Sequence, residues 1–274
     1  MPEVTVVIPS RNGREILTEF LPGILEEARR AAGEVILVDD CSDDGTADLV
    51  AARYPSVRLL SREGDPGFCH AVNMGMGAAD SDSLLLLNND TVPREGSFSA
   101  LLADLWSSPE EVAAVVPRIP RPDGTDDGDF RWGFRRGLAV TGEGIEGEPY
   151  PSGACSLWRR KAWEELGGLD TRYAPIYWED ADLGARMHRA GYRMKRCTDV
   201  TVEHRHAATM GGGSASDTLR ERNRFVFMDA NCSTAVMRLS RAIWLPFHLT
   251  RARLCGNMPF TDGYSQYRRL RKSP

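Results

Sequence analysis

Short apolar runs alternate with stretches in which apolar residues recur every three or four positions. A run such as Leu84-Leu85-Leu86-Leu87 is typical of a strand buried on both faces. Helical spacing in the stretches between such runs indicates amphipathic helices. The pattern predicts strands at residues 4–9, 35–38, 57–60, 84–87, 112–116 and 200–202, and helices at 16–28, 69–79, 97–106, 160–166, 180–190 and 217–253. Ser42 is expected to cap a further helix after the second strand. This alternation predicts an α/β fold, a doubly wound, mostly parallel sheet with helices on both faces and right-handed crossovers.

Residues 117–151 interrupt the alternation. They are rich in Pro, Gly and Asp, and basic and aromatic residues interleave at 131–136. A loop of this length in a compact domain is usually functional or disordered, so we expect irregular structure here. The chain contains no internal repeat, and Gly211-Gly212-Gly213 is expected to be a flexible hinge. We therefore predict a catalytic domain of residues 1–215, followed by a basic, mainly helical C-terminal extension of residues 216–274.

Charge is distributed unevenly along the chain. The 274 residues carry a formal net charge of -5, which argues against nucleic acid as a partner of the whole molecule. From Arg220 to the C-terminus, however, 11 basic residues face 3 acidic ones, a net charge of +8. This segment is compatible with peripheral association with an anionic membrane surface or with a solvated helical cap. The sequence leaves a homodimer open as well.

Cysteine usage and hydropathy predict the compartment. Six scattered cysteines without a Cys-x-x-Cys pair indicate neither a disulfide framework nor a zinc site, so reduced thiols in a cytosol are expected. The N-terminus runs directly into a strand pattern without a signal segment. No stretch approaches the ~20 apolar residues that span a bilayer. We expect a cytoplasmic protein, soluble or peripheral on the inner face of the membrane.

Polar residues follow three of the predicted strands. Arg11-Asn12-Gly13, Asp39-Asp40 and Asn88-Asn89-Asp90 each stand where an open α/β sheet binds ligands, beyond the carboxyl ends of its strands. Asp39 could accept the imino hydrogen of uracil or thymine, Arg11 could offset diphosphate charge, and Asp90 could ligate a hard divalent cation. Each cluster alone is equally compatible with a polar turn. Neither a G-x-G-x-x-G nor a P-loop motif is present, so phosphate charge would require a metal and a few basic groups.

A second acidic cluster, Trp178-Glu179-Asp180-Ala181-Asp182, stands at a predicted helix start. The helix dipole stabilises negative charge there, so the cluster could simply cap the helix. A carboxylate beside aromatic side chains could also act as general base toward an acceptor hydroxyl. Further on, His204 and His206 point the same way on an extended chain, and either could ligate a metal together with Asp90. We favour His204 because it lies nearer the predicted strand.

The ordered motifs resemble those of family 2 glycosyltransferases with the GT-A fold, inverting enzymes that include bacterial rhamnosyl- and polysaccharide-type transferases. The resemblance covers roughly residues 4–210 and rests on VVIPSRNG (6–13), VDDCSDDGT (38–46), GFCHAVN (67–73), LNNDT (87–91), PSGAC (151–155), LGGLD (166–170) and WEDADL (178–183). The chain departs from the family at Asn88, which replaces the first aspartate of the family's D-x-D motif. The identity of the cation therefore stays open.

The resemblance implies roles for individual residues. It implies nucleotide contacts by Pro9, Ser10, Arg11, Asp39, Asn73, Asn88 and Asn89. Asp90 and His204 would bind Mg²⁺ or Mn²⁺ on the donor diphosphate, and Asp180 of the Glu179-Asp180 pair would be the catalytic base. Gly153, Ala154 and Trp178 would line the acceptor side.

The predicted function is inverting transfer of a sugar to an acceptor hydroxyl in cell-envelope polysaccharide or glycoconjugate synthesis. The donor would be a UDP-, dTDP- or GDP-sugar, and the acceptor a glycan, a lipid-linked sugar or a small molecule. The alternatives are a sugar nucleotidyltransferase, for which a Gly-rich basic signature after the first strand is missing, and a non-catalytic sugar-nucleotide or glycan-binding module. The intact Glu179-Asp180 pair argues against the module.

Overall fold

A computed structural model describes residues 3–205 and 213–271, so His206 and most of the predicted glycine hinge lie outside the described residues. The strands are β1 (Val4–Ser10), β2 (Glu34–Asp40), β3 (Arg58–Arg62), β4 (Ser83–Leu87), β5 (Thr91–Pro93), β6 (Val112–Arg118), β7 (Phe130–Arg135), β8 (Leu138–Glu143), β9 (Glu148–Pro149), β10 (Cys155–Arg159) and β11 (Arg193–His204). The helices are α1 (Arg14–Arg30), α2 (Thr46–Arg53), α3 (Phe68–Ala78), α4 (Ser97–Ser107), α5 (Arg160–Leu166), α6 (Glu179–Arg189), α7 (Ser214–Asn231), α8 (Ala235–Leu254) and α9 (Met258–Leu270).

Eight strands form one sheet in the order β3-β2-β1-β4-β10-β6-β11-β5. Strands β3, β2, β1 and β4 run parallel to one another, as do β6 and β11. Strand β10 pairs antiparallel with β4 and with β6, and β5 pairs antiparallel with β11. The α/β fold with a mostly parallel sheet is therefore confirmed. The sequence pattern missed β10, whose short run between the predicted acceptor segment and α5 lacks a long apolar stretch.

Helices cover both faces of this sheet, as predicted. Because successive side chains of a buried strand point to opposite faces, Val6 and Ile8 of β1 pack in one core with α1 and α4. Val7 points to the other core, which also contains side chains of α3, α6 and α7. Phe225 of α7 joins the C-terminal helices to this second core through ring contacts of 5.0–5.7 Å with α9.

The predicted loop at residues 117–151 is wrong in its central part, because strands β7, β8 and β9 form a three-stranded antiparallel sheet there. Arg136 and Gly137 both have positive φ, 49° and 76°, as a two-residue turn between antiparallel strands requires. Trp132 of β7 is buried against Phe227 of α7, with ring centroids 5.0 Å apart. The alternation of Phe130, Trp132 and Phe134 indicated a strand, but the surrounding Pro, Gly and Asp residues obscured it.

Two local predictions also need correction. Helix α2 begins after Gly45, and Ser42 does not cap it, because its Oγ instead accepts a hydrogen bond from the backbone N–H of Asn12 at 2.8 Å. Strand β11 runs from Arg193 to His204, much longer than the predicted 200–202, because pairing with β6 holds its polar first half in the sheet. The predicted division between residues 1–215 and 216–274 stays a prediction.

Candidate active site

The polar residues of three strands meet at one edge of the sheet, as predicted. Strands β2, β1 and β4 are adjacent and parallel, and Ser10 stands opposite Asp39 in their register. Asn88, Asn89 and Asp90 follow β4 directly at the same edge. Pro9 lies buried within β1, whereas Arg11 is exposed just past the end of this strand.

Asp39 and Asp40, at the end of β2, have different surroundings. Asp40 accepts a hydrogen bond from the backbone N–H of Gly67 at 2.7 Å and forms an ion pair with Arg62, so it ties β2 to β3 and to the start of α3. Asp39 is 5% exposed, and within the described part of the chain its Oδ1 has no hydrogen-bond partner. A buried acceptor without a donor is costly. The geometry is therefore compatible with a ligand that supplies an N–H group to Asp39.

Three other predicted nucleotide contacts bind groups of the protein itself. Asn89 donates from Nδ2 to Ser10 Oγ at 2.9 Å, which joins the ends of β4 and β1. The amide of Asn73 on α3 donates to Leu169 O at 2.7 Å and accepts from Leu169 N at 2.9 Å. These bonds assign the side chains a structural task, and their contacts with a nucleotide stay predictions.

Asp90 and His204 meet although 113 residues separate them in the chain. Strand β11 pairs antiparallel with β5, so His204 stands opposite Thr91 and next to Asp90. The Asp90 Oδ1 atom lies 3.0 Å from His204 Nε2, and Asn88 Nδ2 lies 3.4 Å from the same nitrogen. The predicted pairing of these residues in space is thus present.

Asp127 is a residue of this cluster that the sequence did not reveal. Its Oδ2 lies 3.7 Å from His204 Nδ1, and its Oδ1 lies 2.5 Å from Arg121 Nε. Burial alone would lower the pKa of His204, but the hydrogen-bonding carboxylates of Asp127 and Asp90 raise that pKa to about 9. Asp127 belongs to the segment predicted as a loop, where a run of acidic residues was its only signal.

The turn before α6 has an unusual backbone. Tyr177 and Trp178, neither of them glycine, have positive φ angles of 85° and 74°, a conformation that L residues rarely adopt. Asn223 of α7 is fully buried, and its Nδ2 lies 2.6, 2.9 and 3.0 Å from the carbonyl oxygens of Tyr173, Ile176 and Tyr177. Backbone strain of this kind persists where surrounding contacts enforce it, and it clusters at active sites.

Glu179 and Asp180 follow this turn, and both carboxyl groups have a raised pKa. Burial, together with the neighbouring charge of Asp180, raises the pKa of Glu179 well above its ordinary value and favours its neutral form. Burial raises the pKa of Asp180 to about 6, and the hydrogen bond from the backbone N–H of Ala181 at 2.7 Å opposes the rise. Two adjacent acids with pKa values pushed apart are a common acid–base arrangement. With a pKa of about 6, Asp180 is mostly ionised at neutral pH.

A cleft of about 550 Å³ connects the carboxylate pair with the strand tips. Asp180 and His204 both line it, and Asp90 contacts His204. The predicted acceptor-side residues Gly153, Ala154 and Trp178 line the cleft as well. A set of further lining residues was missed from the sequence: Arg121, Asp127, Tyr150, Arg220 and Arg224. They come from the antiparallel sheet region and from α7, and only the packing of these segments brings them to the cleft.

The sheet topology and this cleft define a class of protein, the glycosyltransferases of the GT-A fold, which use nucleotide sugars as donors. The sequence agrees, because residues 2–227 match the model described as "Glycosyltransferase like family 2". The chain belongs to glycosyltransferase family 2.

Relatives and solved structures agree with this membership. The chain is 32% identical over 246 residues to the N-acetylglucosaminyl-diphospho-decaprenol L-rhamnosyltransferase of Mycobacterium tuberculosis, covering 77% of this chain and 79% of that protein. It is 24% identical over 222 residues to the O-antigen chain rhamnosyltransferase WbaN of Salmonella anatum, covering 76% and 68%. The solved mannosyltransferase PcManGT from Pyrobaculum calidifontis, in complex with GDP-Man and Mn²⁺, superposes with a TM-score of 0.62 at 21% identity, covering 99% and 81%. This last likeness shows the shared fold.

Proposed function

We propose that the protein transfers a sugar from a nucleoside-diphosphate sugar to an acceptor hydroxyl with inversion at the anomeric carbon. The observation that carries the proposal is that Asp180 and His204 line one cleft, with Asp90 Oδ1 3.0 Å from His204 Nε2. The base of the nucleotide would lie near Asp39, whose buried Oδ1 can accept a ring N–H. The diphosphate would lie beside Asp90 and His204.

Asp180 is the proposed general base. With a pKa of about 6 it is mostly ionised at pH 7 and can still accept a proton, which is the compromise that a general base requires. It would take the proton of the acceptor hydroxyl while the hydroxyl oxygen forms a bond to the anomeric carbon and the bond to the donor diphosphate breaks. A single displacement inverts the configuration and needs no nucleophile from the protein.

The residues present fit a divalent cation that shares its ligands with the substrate. Asp90 supplies a carboxylate and His204 an imidazole, but across residues 3–205 and 213–271 no group of three or more His, Cys, Asp or Glu could hold a metal alone. Mg²⁺ is commonly bound by one or two carboxylates plus substrate phosphates and water, so two protein ligands suffice. When bound, the ion would offset charge on the leaving diphosphate. His204 must be neutral to ligate a metal, and its raised pKa therefore makes the affinity for the ion depend on pH.

For the acceptor we propose a lipid-linked sugar in envelope polysaccharide assembly. Two relatives are named for rhamnosyl transfer, one for a diphospho-decaprenol-linked acceptor and one for an O-antigen chain. L-Rhamnose is thus the first donor sugar to test, and the cleft carries arginines that favour an anionic acceptor.

Because a lipid-linked acceptor lies in a membrane, we also propose that the protein attaches to the membrane surface through α8. In the described residues no helix is long and apolar enough to cross a membrane. Helix α8 buries only Ala252 and exposes an apolar stripe consisting of Val236, Leu239, Ile243, Phe247 and Leu254. Arginines flank this stripe, an arrangement that favours the surface of an anionic bilayer.

Co-sedimentation with liposomes tests the membrane proposal. Wild-type protein should co-sediment with anionic vesicles at low salt, and Leu239→Asp together with Ile243→Asp should prevent this. Met74→Asp, at an exposed apolar position of α3, is the control. Equal binding of the double variant would refute the role of α8, and a dimer that the double variant disrupts would instead identify the stripe as a subunit interface.

A donor panel tests the transferase against its rivals. Purified protein is incubated with UDP-, dTDP- and GDP-sugars in the presence of Mn²⁺ or Mg²⁺, and release of the nucleoside diphosphate is measured. A transferase releases the nucleoside diphosphate slowly from one of the donors when no acceptor is present, and faster when an acceptor is added. A non-catalytic module binds without release, and a nucleotidyltransferase forms nucleoside triphosphate when pyrophosphate is added.

A further inference from the structure

Two arginines of α7, Arg220 and Arg224, line the same cleft as Asp180. They are four residues apart, so they stand on one face of the helix, where two like charges repel each other. Asn223, which binds the turn before α6, adjoins Arg224 on α7. The role of these arginines rests on the proposed function, because it concerns what the cleft binds beside Asp180.

Arg224 carries more hydrogen-bonding capacity than the protein uses. Its side chain is 20% exposed, and its Nη2 pairs with Glu221 Oε1 at 3.1 Å. Its Nε is buried, and within the described part of the chain it has no hydrogen-bond partner. Burial lowers the pKa of Arg224; the carboxylate of Glu221 opposes this effect, and the positive charge of Arg220 adds to it. An anion in the cleft would relieve the repulsion between the two guanidinium groups.

Arg220 is held in position but remains accessible. Its guanidinium carbon lies 4.6 Å from the centre of the Tyr177 ring, and Nη1 lies 3.5 Å from Asp217 Oδ1. Both members of this ion pair are more than half exposed, so the pair is weak and easily exchanged. A guanidinium stacked on an aromatic ring keeps its edge free to bind phosphate oxygens with two parallel hydrogen bonds.

The position of Arg220 and Arg224 indicates whether they would bind the phosphate groups of the donor or those of the acceptor. The Arg220 guanidinium lies over the ring of Tyr177, which lines the cleft together with Asp180 and belongs to the turn before α6. In the proposed function the acceptor approaches Asp180, so this wall of the cleft would face the acceptor. The donor diphosphate belongs beside Asp90 and His204, at the ends of β4 and β11. We propose that Arg220 and Arg224 form an anion site for the phosphate or diphosphate group of the acceptor, and thereby select acceptors that carry this group.

Kinetics with two acceptors test the proposal. One acceptor is a short-chain, water-soluble prenyl diphosphate that carries the acceptor sugar, and the other is the same sugar as a neutral alkyl glycoside. For Arg220→Gln and for Arg224→Gln, the KM for the diphosphate acceptor should rise about 10-fold or more, the scale of a lost charged hydrogen bond. The ratio of kcat/KM for the diphosphate acceptor to kcat/KM for the neutral acceptor should therefore fall about 10-fold or more, and the KM for the donor should not rise in parallel.

Two further variants control for charge and folding. Arg53→Gln removes an exposed arginine that lies over a tyrosine ring outside the cleft, 6.0 Å from the ring centre, and should leave every parameter unchanged. Arg224→Lys keeps the charge beside Glu221 and should lose less affinity than Arg224→Gln. A rise in the donor KM alone would assign the pair to the donor diphosphate. Equal losses of kcat/KM with both acceptors would show that the two arginines only support the packing of the cleft. Either result overturns the proposal.

A binding measurement separates failure of this inference from failure of the proposed function. Calorimetry without donor should show that wild-type protein binds the prenyl diphosphate and that Arg220→Gln binds it about 10-fold more weakly or worse. Such binding without sugar transfer would leave the anion site standing and refute the transferase. Sugar transfer, together with equal binding of the prenyl diphosphate by wild type and Arg220→Gln, would refute the anion site and leave the transferase standing.

Discussion

Replacing Asp180 by asparagine separates the proposed chemistry from binding. The substitution keeps the size of the side chain and an oxygen that can accept the hydrogen bond from Ala181 N. It removes the proton acceptor, so turnover should fall about 10²-fold or more, the usual contribution of a general base. Nucleotide affinity should be unchanged, because Asp39 and Asp90 would bind the donor at the strand tips.

The same variant should be more stable than wild type at high pH. Burial raises the pKa of Asp180 from 3.8 to about 6, so between these values the folded protein holds a proton that the unfolded chain releases. Wild-type stability therefore falls by about 1.4 kcal/mol per pH unit across that interval and is constant above it, a total of about 3 kcal/mol. Asparagine does not titrate. Its advantage over wild type should grow by about 1 kcal/mol between pH 5 and pH 8.

Three measurements check this reasoning. Steady-state rates with the active donor give turnover, and calorimetry gives nucleotide affinity. Urea unfolding at pH 5 and pH 8 gives the free energy of unfolding, with Asp48→Asn, at an exposed position of α2, as control. For wild type, kcat/KM should rise with pH and level off above about 6. Near-wild-type turnover of Asp180→Asn would show that Asp180 is not the general base. A stability difference between variant and wild type that does not change with pH would show that burial does not raise the pKa of this carboxyl group.

Three other predictions concern the strand tips and the packing behind the cleft. Asp90→Ala should abolish the Mn²⁺-dependent part of UDP or dTDP affinity, so calorimetric affinities that are equal with and without Mn²⁺ in wild type would contradict the metal assignment. Asp39→Ala should weaken nucleotide binding about 10-fold or more, measured by the same calorimetry, because a charged hydrogen bond to the base is lost; Asp40→Ala should instead lower the melting temperature, because Asp40 binds Arg62 and Gly67 N. Gly184→Ala should lower the free energy of unfolding by about 1–3 kcal/mol, since its Cβ would lie 2.3 Å from Tyr150 Cβ. The control Gly77→Ala, also within a helix, has open space around its Cβ and should be neutral or raise this free energy by up to about 1 kcal/mol in the same urea titration.

Much of the sheet could be predicted from the sequence because its strands are buried on both faces. The runs at β1, β2 and β4 are mostly apolar and buried, and in α1 between β1 and β2 apolar residues recur at helical spacing. Parallel strands place their carboxyl ends at one edge, so Asp39, Asn88 and Asp90 could be grouped before any coordinates were known. Strands β7 to β10 were not predicted as strands, because short antiparallel strands among Pro, Gly and Arg residues carry a weak local signal.

What the sequence determined by itself is therefore local: apolar periods, the motifs at strand ends, and the acidic pair Glu179-Asp180. What only the tertiary structure decided is which distant groups share the cleft. Asp127 comes close to His204 because the 117–151 segment folds over the strand ends. Arg220 and Arg224 line the cleft because α7 packs there, and Asn223 fixes the backbone before Asp180. The physical reason is that such contacts depend on how separate elements pack, and no pattern of neighbouring residues records that packing.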